Sequence, residues 1–321
     1  DYSGGATCPS LLLEPQRTNS ASQSEDFNGW PTKVNVTTTA NYAVSPDGYQ
    51  NADRVVFTGN GFMYPASGVN QTNGVVYTLS CYAKRNGSGT QSIGFFKDGS
   101  GAIDNAWTLT SNWQRFTYTY TAGNTSVVGI AGASGADVSV YGFQFEIGAY
   151  ATSYIPTLSA AVTRGADFAN KGSISSLFGA TEGTFFCELT FTNTNSIPIF
   201  LQSSVSGSFN QATYIQLGGN KVLYNVYSGG AQQVGITSTS NFTEGQSLKI
   251  AIVYKAGDFA MYINGVAEGS VSYGSISNSL TAIQIGRWAD GGATFQYFGR
   301  LNQALLFPTR LSNADLATLT A

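Results

Sequence analysis

The sequence contains no histidine among its 321 residues. Histidine is the commonest general base, the usual partner of a nucleophilic serine or cysteine, and the commonest metal ligand. Its absence therefore argues against most hydrolase mechanisms and most transition-metal sites. Charged residues are also scarce, at 10% of the chain against about 25% in an average protein. With 15 basic and 18 acidic residues, the net charge of -3 leaves no basic surface for nucleic acid or for an anionic membrane.

Long apolar runs and a cysteine framework are missing as well. No stretch of eighteen apolar residues is present to span a bilayer, so we expect a soluble protein without membrane insertion. The three cysteines, Cys8, Cys81 and Cys187, are spaced too widely for a zinc or redox motif. Cys81 and Cys187 fall within alternating apolar segments and are predicted to be small buried hydrophobes.

The sequence does contain a period-two alternation of apolar and polar residues from Val34 to Phe307, interrupted by Gly and Asn. This pattern predicts an all-β fold of two tandem β-sandwich (jelly-roll) domains, with a short C-terminal helix. In VVYTLSCYAK (75–84), the odd positions are predicted to face a core, whereas Thr78 and Ser80 are predicted to face water.

Two local signals are sharper than the rest. Asn264-Gly265 lies between alternating runs and predicts a type I′ hairpin turn, because both residues tolerate positive φ. Ser312 followed three residues later by Asp315 predicts the N-terminus of the last helix.

Several segments of the first half share a recognisable pattern: LLLEPQRTNSASQSEDFNGW (11–30), SNWQRFTYTYTA (111–122) and FEIGAYATSYIPTLSAAVTRGADF (145–168). They resemble a jelly-roll module, similar in fold to carbohydrate-binding modules, that recurs in tail fibres, tail spikes and head fibres of tailed bacteriophages and prophages. In the second half, LKIAIVYKAGDFAMYINGV (248–266) and YFGRLNQALLFPTRLSNADLATLTA (297–321) resemble the concanavalin A-like, laminin-G-like sandwich that often follows this module.

The resemblance implies boundaries for the domains and a role for the segment between them. The expected divisions are a lead-in at 1–10, a jelly roll at 11–168, a linker at 169–182 and the second sandwich at 183–321. Residues 147–168 are predicted to form an ordered strap that lies beside the chain's entry. The ion-pair candidates along this seam are Glu14, Arg17, Arg164 and Asp167.

Known catalytic patterns of the concanavalin A-like fold are absent from the sequence. Glucanases of this fold carry a Glu-x-Asp-x-x-Glu strand with two close carboxylates, and no such cluster occurs here. YKAGDFAMYIN faintly resembles an alginate-lyase strand but lacks the histidine of those enzymes, and Lys255 to Asp258 reads better as a turn. We therefore predict that the protein is not an enzyme.

Glycan binding by a sandwich usually needs an exposed aromatic ring beside neutral or acidic hydrogen-bonding groups. Trp107 and Trp113 are predicted to be core residues, which leaves two tryptophans. The glycan-binding candidates are Trp30, Trp288, Asp290 and Tyr297. The alternative for Trp288 is a purely structural place at the rim of the sandwich.

Calcium is the one cofactor that the sequence leaves open. The segments SPDGYQNAD and KDGSGAIDN supply carboxylates without EF-hand spacing, at Asp47, Asp53, Asp98 and Asp104. Solvated turns are the favoured alternative.

These observations predict a non-enzymatic virion surface protein, part of a tail or head fibre or spike, that attaches to host-cell glycan. Other virion proteins and, by analogy with phage fibres, a homotrimer are the expected partners. Two alternatives stay open: a polysaccharide depolymerase (lyase or glycosidase) of a tail spike, and the binding module of a bacterial adhesin or secreted glycan-degrading enzyme.

Overall fold

A computed structural model describes residues 10–89, 91–179, 181–202, 211–276, 280–287 and 295–321. The regular secondary structure of the described chain is almost entirely β-strand, with a short C-terminal helix, which confirms the predicted fold class. The strands up to Arg164 are β1 (Leu11–Leu13), β2 (Arg17–Asn19), β3 (Thr32–Ala43), β4 (Ala52–Tyr64), β5 (Val76–Arg85), β6 (Ile93–Phe96), β7 (Asn105–Ala106), β8 (Gln114–Thr121), β9 (Gly129–Gly132), β10 (Asp137–Ile147) and β11 (Val162–Arg164).

The later elements are again mostly strands. They are β12 (Ala169–Lys171), a 3-10 turn (Ser175–Leu177), β13 (Glu182–Thr190), β14 (Ser196–Gln202), β15 (Gln211–Gly218), β16 (Lys221–Ser228), β17 (Ala231–Thr237), β18 (Ser247–Lys255), β19 (Phe259–Ile263), β20 (Val266–Val271), β21 (Ala282–Ile285), β22 (Gly299–Phe307) and the helix α1 (Asn313–Thr320). Within the described residues, no helix has the length and apolar character needed to cross a membrane.

The chain forms two compact units. The first sandwich is Gln16–Gly165, and the second sandwich is Ala166–Ala321 together with the described residues before Gln16. These divisions differ from the predicted ones at both ends of the jelly roll. β1 belongs to the second sandwich because it pairs with β22 and buries Leu13 in that core. β12 lies inside the predicted linker and pairs with β21.

The first sandwich is built on a sheet in the order β7-β6-β9-β4-β10-β5-β8, with β3 paired to β4. β4 connects the two ends of this order, since its first residues pair with β10 and its last residues pair with β9. The sheet can therefore enclose one core. Both ends of the sheet contribute to it, with Val55, Leu79, Phe95, Ile130 and Phe143 among its members.

The predicted strap is ordered and packs on the first sandwich over most of its length. Ile155 is buried, and its N–H donates to Oε1 of Gln144 at 2.7 Å. Thr78 and Ser80 are fully buried, so the prediction that they face water is wrong. Thr78 contacts the carbonyl of Gly148 at 2.8 Å, and a strap shields this face. Alternation identifies the two faces of a strand but not what covers each of them.

The seam residues divide between the two units. In the first sandwich, Arg17 pairs in register with Arg164 across β2 and β11, and Nε of Arg17 lies 3.8 Å from Oε2 of the buried Glu146. In the second, the N–H of Glu14 donates to Oδ2 of Asp167 at 3.1 Å, and the N–H of Asp167 donates to the carbonyl of Glu14 at 2.9 Å. Backbone pairing thus contributes at both places.

The second sandwich consists of two six-stranded sheets, β1-β22-β13-β18-β19-β20 and β12-β21-β14-β15-β16-β17. Its core lies between them and includes Phe185 and Ile250 from the first sheet and Ile215 and Val226 from the second. The opposite face of β18 carries Ala251 and Val253, which pack in a smaller cluster with Leu316 of α1. Burial on both faces explains the nearly continuous apolar run of this strand.

Both local predictions in this unit are confirmed. Asn264 and Gly265 have φ values of 48° and 82°, as a type I′ turn between β19 and β20 requires. The side chain of Ser312 accepts a hydrogen bond from the N–H of Asp315, which caps α1. Cys81 and Cys187 are buried, and burial raises the pKa of both thiols, so neither is a reactive nucleophile.

Candidate functional site

The structure does not assemble the predicted glycan-binding residues into one site. Trp30 is 1% exposed and Tyr297 is fully buried, so neither ring can stack on a sugar. The hydroxyl of Tyr297 donates to a buried main-chain carbonyl, that of Thr190, at 2.7 Å. Trp288 and Asp290 lie outside the described residues. The prediction that Trp30 and Tyr297 bind glycan is therefore wrong. Both are structural residues, because their large rings pack in the cores and do not reach the surface.

The other two tryptophans differ from each other. Trp107 is buried, as predicted. Trp113 is only partly buried: its indole N–H donates to the carbonyl of Val44 at 2.9 Å, and Nζ of Lys84 lies 4.9 Å from its ring centroid. The core prediction for Trp113 is wrong, because it lies just before β8, on the face away from the core.

The four aspartates proposed for calcium occupy turns or bind main-chain N–H groups. Asp47 and Asp98 each accept a hydrogen bond from the N–H two residues later, at 2.9 and 3.0 Å. Asp104 accepts from the N–H of Lys97 at 2.8 Å. Among the described residues, no group of three His, Cys, Asp or Glu side chains is arranged to hold a metal ion. The fourth residue, Asp53, takes part in a different feature.

Asp53 lines a cleft of about 480 Å³ in the first sandwich, hereafter the cleft. Four stretches meet there: the loop after β2, the end of β3, the start of β4 and the strap, which is about 100 residues from the others. The lining residues are Gln23, Glu25, Asp26, Ala40, Asn41, Asn51, Asp53, Thr157, Leu158 and Ser159. Its volume falls within the range of about 300–1,000 Å³ typical of small-ligand sites.

Backbone pairing between the strap and the loop after β2 forms one wall of the cleft. The N–H of Gln23 donates to the carbonyl of Leu158 at 2.5 Å, and the N–H of Ser24 donates to the carbonyl of Thr157 at 3.2 Å. The side chain of Thr157 also donates to the carbonyl of Ala21 at 2.6 Å. Leu158 is thereby fixed at the cleft with 84% of its surface exposed.

Two residues of the cleft have a left-handed backbone conformation, which residues other than glycine rarely adopt. Gln23 and Asn41 both have a φ of 51°. Such conformations cost about 1–3 kcal/mol and persist only where the surroundings enforce them. For Gln23, the indole N–H of the buried Trp30 donates to its carbonyl at 2.9 Å. The buried tryptophan therefore supports the cleft from below.

Asp53 organises the opposite wall. Its Oδ2 accepts the N–H of Asn28 and its Oδ1 accepts the N–H of Asn41, both at 2.9 Å. Burial raises the pKa of Asp53, the two backbone hydrogen bonds oppose this rise, and the charge of Asp26 reinforces it. The carboxylate of Asp53 thus fixes the loop after β2 and the end of β3 at the cleft, which Asp26 also lines.

Glu25 is linked to a hydroxyl network behind the cleft. Its Oε1 lies 3.1 Å from the hydroxyl of Tyr141 and 3.2 Å from that of Tyr154. The hydroxyl of Tyr141 also lies 2.7 Å from Oδ2 of Asp47. Burial is the largest cause of a raised pKa for both tyrosines, so both hydroxyls keep their protons and serve as donors.

The cleft is rich in hydrogen-bond acceptors. Three carboxylates line it, and Oδ1 of Asn51 is buried without a hydrogen-bond partner. No Lys or Arg is among the described residues that line it. Lys33 is nearby, and burial lowers its pKa while the charges of Asp26 and Asp53 counteract this effect. Such a lining suits hydroxyl or ammonium donors better than anionic groups.

Sequence reasoning identified only Asp53 among the lining residues, and for a different role. Gln23, Glu25 and Asp26 lie within the segment 11–30 used for the resemblance, but nothing in the sequence shows that they face Asn51 or Leu158. The available signal is Asn41, since Asn is enriched at positive φ. The strap was predicted from the sequence as an ordered segment, but nothing in the sequence indicated that it lines a cleft.

Comparisons with known proteins concern the fold. Residues 184–317 match the model of the Concanavalin A-like lectin/glucanases superfamily. The second sandwich is therefore a concanavalin A-like domain. A comparison with curated proteins gives no match.

Among solved structures, this chain is similar to a SAP-like pentraxin from Limulus polyphemus, with 18% identity over 44% of this chain and 70% of that one, at a TM-score of 0.36. The chain is also similar to the CBM40 of the Ruminococcus gnavus IT-sialidase, bound to alpha2,3 sialyllactose. The identity is 13% over 47% of this chain and 91% of that one, and the TM-score is 0.40. For the NanB sialidase from Streptococcus pneumoniae, the identity is 18% over 47% of this chain and 26% of that one, and the TM-score is 0.37. This chain therefore spans about a quarter of that enzyme.

Proposed function

We propose that this protein is a non-enzymatic, glycan-binding component of a bacteriophage virion surface, in a tail or head fibre or spike, that attaches to host-cell carbohydrate. The observation that carries the binding role is the cleft, which is of ligand size and lined by acceptors with one exposed apolar side chain. The virion context rests on the resemblance of segments 11–30, 111–122 and 145–168. Other virion proteins and a homotrimer follow from that resemblance.

The chemistry of the cleft suits sugar hydroxyls. Carboxylates accept hydrogen bonds from hydroxyl groups, and Leu158 offers an apolar contact for a ring face. The carboxylates disfavour a uronate or sialate, because like charges repel in a partly buried site. A neutral or amino sugar is therefore the ligand that we propose.

A printed panel of neutral, amino and acidic oligosaccharides tests this function. The wild type should bind neutral or amino glycans, and Asp26→Asn and Glu25→Gln should weaken binding at least five-fold. Glu188→Gln, on β13 of the second sandwich, is the matched control and should bind as the wild type does. Absence of binding to host cells and to every glycan at high protein concentration would contradict the proposal. Capsid or tail genes beside the parent gene would support the virion context.

A polysaccharide depolymerase is the second candidate, favoured by one observation. Asp53 has a raised pKa and shares the cleft with Asp26, as a general acid and its partner would. Both oxygens of Asp53 already accept main-chain N–H groups, which favours the binding role. Release of reducing ends from host polysaccharide by the wild type, and its loss in Asp53→Asn, would establish the enzyme instead.

A further inference from the structure

A second depression, hereafter the groove, lies on the second sandwich beside the start of α1 and has a volume of about 610 Å³. Strands β19 and β20 form its floor. The lining residues are Gly257, Asp258, Ala260, Tyr262, Ala267, Gly269, Ser270, Val271, Ser272, Tyr273, Arg310 and Asn313. All of them belong to the described residues of this one unit.

The floor of the groove is the outer face of the sheet and consists of small residues apart from Tyr262. Ala260 pairs with Ser270 and Tyr262 pairs with Ala267 across the two strands. Ala260 and Tyr262 point away from the main core, since Phe259 and Met261 occupy it. Small side chains beside the start of α1 leave a depression instead of a covered surface.

One wall carries an exposed aromatic ring. Tyr273 lies two residues after the end of β20, and 62% of its surface is exposed. Tyr262 contributes a second ring that is 9% exposed. Amphipathic rings of this kind present an apolar face together with a hydroxyl, the combination that carbohydrate ligands use.

The rim is polar but electrically balanced. Nη2 of Arg310 donates to Oδ1 of Asp258 at 2.9 Å, with side-chain exposures of 13% and 48%. Nε of Arg310 is buried without a hydrogen-bond partner. Because the two charges compensate each other, the rim offers donors and acceptors without net attraction for an ionic ligand.

We propose that the groove binds a neutral pyranose unit, which gives the chain a second glycan site separate from the cleft. The exposed ring of Tyr273 takes the apolar face of the sugar, and Asp258, Asn313 and the serine hydroxyls bind its hydroxyl groups. The proposal takes from the proposed function only the class of ligand. It differs in site and in having no net charge to attract an amino sugar, whereas the carboxylates of the cleft favour one.

The full chain serves for the test, with methyl glycosides of glucose, galactose, mannose and glucosamine as probes in ligand-observed NMR. Two groove variants act by different means: Tyr273→Ala removes the ring, and Ser270→Ile fills the floor with a residue that suits a strand. Tyr49→Ala is the matched control, since Tyr49 is 73% exposed and lines neither site.

We expect a neutral glycoside to bind the cleft variant Asp26→Asn, and either groove mutation in that background to reduce the remaining binding at least five-fold. Tyr49→Ala should change nothing. Unchanged binding in both groove variants overturns the groove proposal while the cleft stands. Binding that depends on the groove but not on Asp26 or Glu25 supports the groove and refutes the cleft. Absence of binding of any probe to the wild type overturns both.

Discussion

The indole N–H of Trp30 donates to the carbonyl of Gln23 across 2.9 Å, from the core of the first sandwich to the edge of the cleft. Trp30→Phe keeps an aromatic ring but leaves this carbonyl without its donor. We expect a loss of about 2 kcal/mol in the free energy of unfolding and weaker glycan binding, because Gln23 loses a restraint on its left-handed backbone. Urea unfolding and array binding measure the two effects, and a variant as stable as the wild type would contradict this role.

Leu158 should affect binding without affecting stability. Its side chain is 84% exposed at the cleft, so Leu158→Ser removes little buried surface, and the free energy of unfolding should change by less than about 0.5 kcal/mol. Glycan affinity should fall several-fold if the side chain contacts the sugar. Leu177→Ser, at a 51% exposed position of the second sandwich, is the control. Equal affinity for both variants would exclude Leu158 from the site.

Asp47 should make stability depend on pH. Burial raises its pKa, but hydrogen bonds from Ser45, Tyr49, Asn51 and Tyr141 outweigh this effect and hold the pKa well below its usual value. A carboxyl with a lowered folded pKa stabilises the fold above its unfolded pKa, about 3.9, and loses that contribution as the pH falls toward the folded value.

The melting temperature of Asp47→Asn should therefore lie below that of the wild type at pH 7. The difference should shrink as the pH falls below about 4. Thermal melts from pH 2.5 to 7 measure it. A difference that stays constant across this range would show that the charge of Asp47 contributes nothing.

Glu146 of β10 should be the carboxylate on which the packing of the strap depends most. It is fully buried and accepts hydrogen bonds from the amide of Gln144 and from the N–H and hydroxyl of Thr152, at 2.7 to 2.9 Å. Glu146→Ala leaves these donors unpaired, so we expect a loss of about 3 kcal/mol. Glu188→Ala, near the surface of the second sandwich, should cost less than about 1 kcal/mol. Equal losses in denaturant titrations would contradict the account.

Local signals in the sequence were reliable where a short segment determines its own conformation. Asn264-Gly265 and Ser312 with Asp315 needed no distant partner, and both occur as predicted. The alternation of β5 identified its core face for the same reason. The prediction for Thr78 failed because its exposure depends on the strap, about 70 residues later in the sequence. The alternation of apolar and polar residues contains no information about that contact.

The cleft could not be predicted from the sequence, for a related reason. Asp53 and Asn41 are 12 residues apart, but Gln23 and Leu158 meet only through a backbone pairing across the fold. Trp30 and Tyr297 were predicted to be exposed glycan-binding rings, but both are buried. In both, the polar group serves a main-chain carbonyl, at Gln23 and at Thr190.

The seam residues also show where the first sandwich begins and ends in the sequence of the second unit. Arg17 and Arg164, near the two ends of the first sandwich, are adjacent, and so are Glu14 and Asp167 in the second. The first sandwich is thus inserted in the sequence of the second unit, between Pro15 and Ala166. Such a cassette is exchangeable without breaking either core. Replacing residues 16–165 needs two crossovers, one near Pro15 and one near Gly165, and leaves the sequence of the sandwich that receives the insert unchanged.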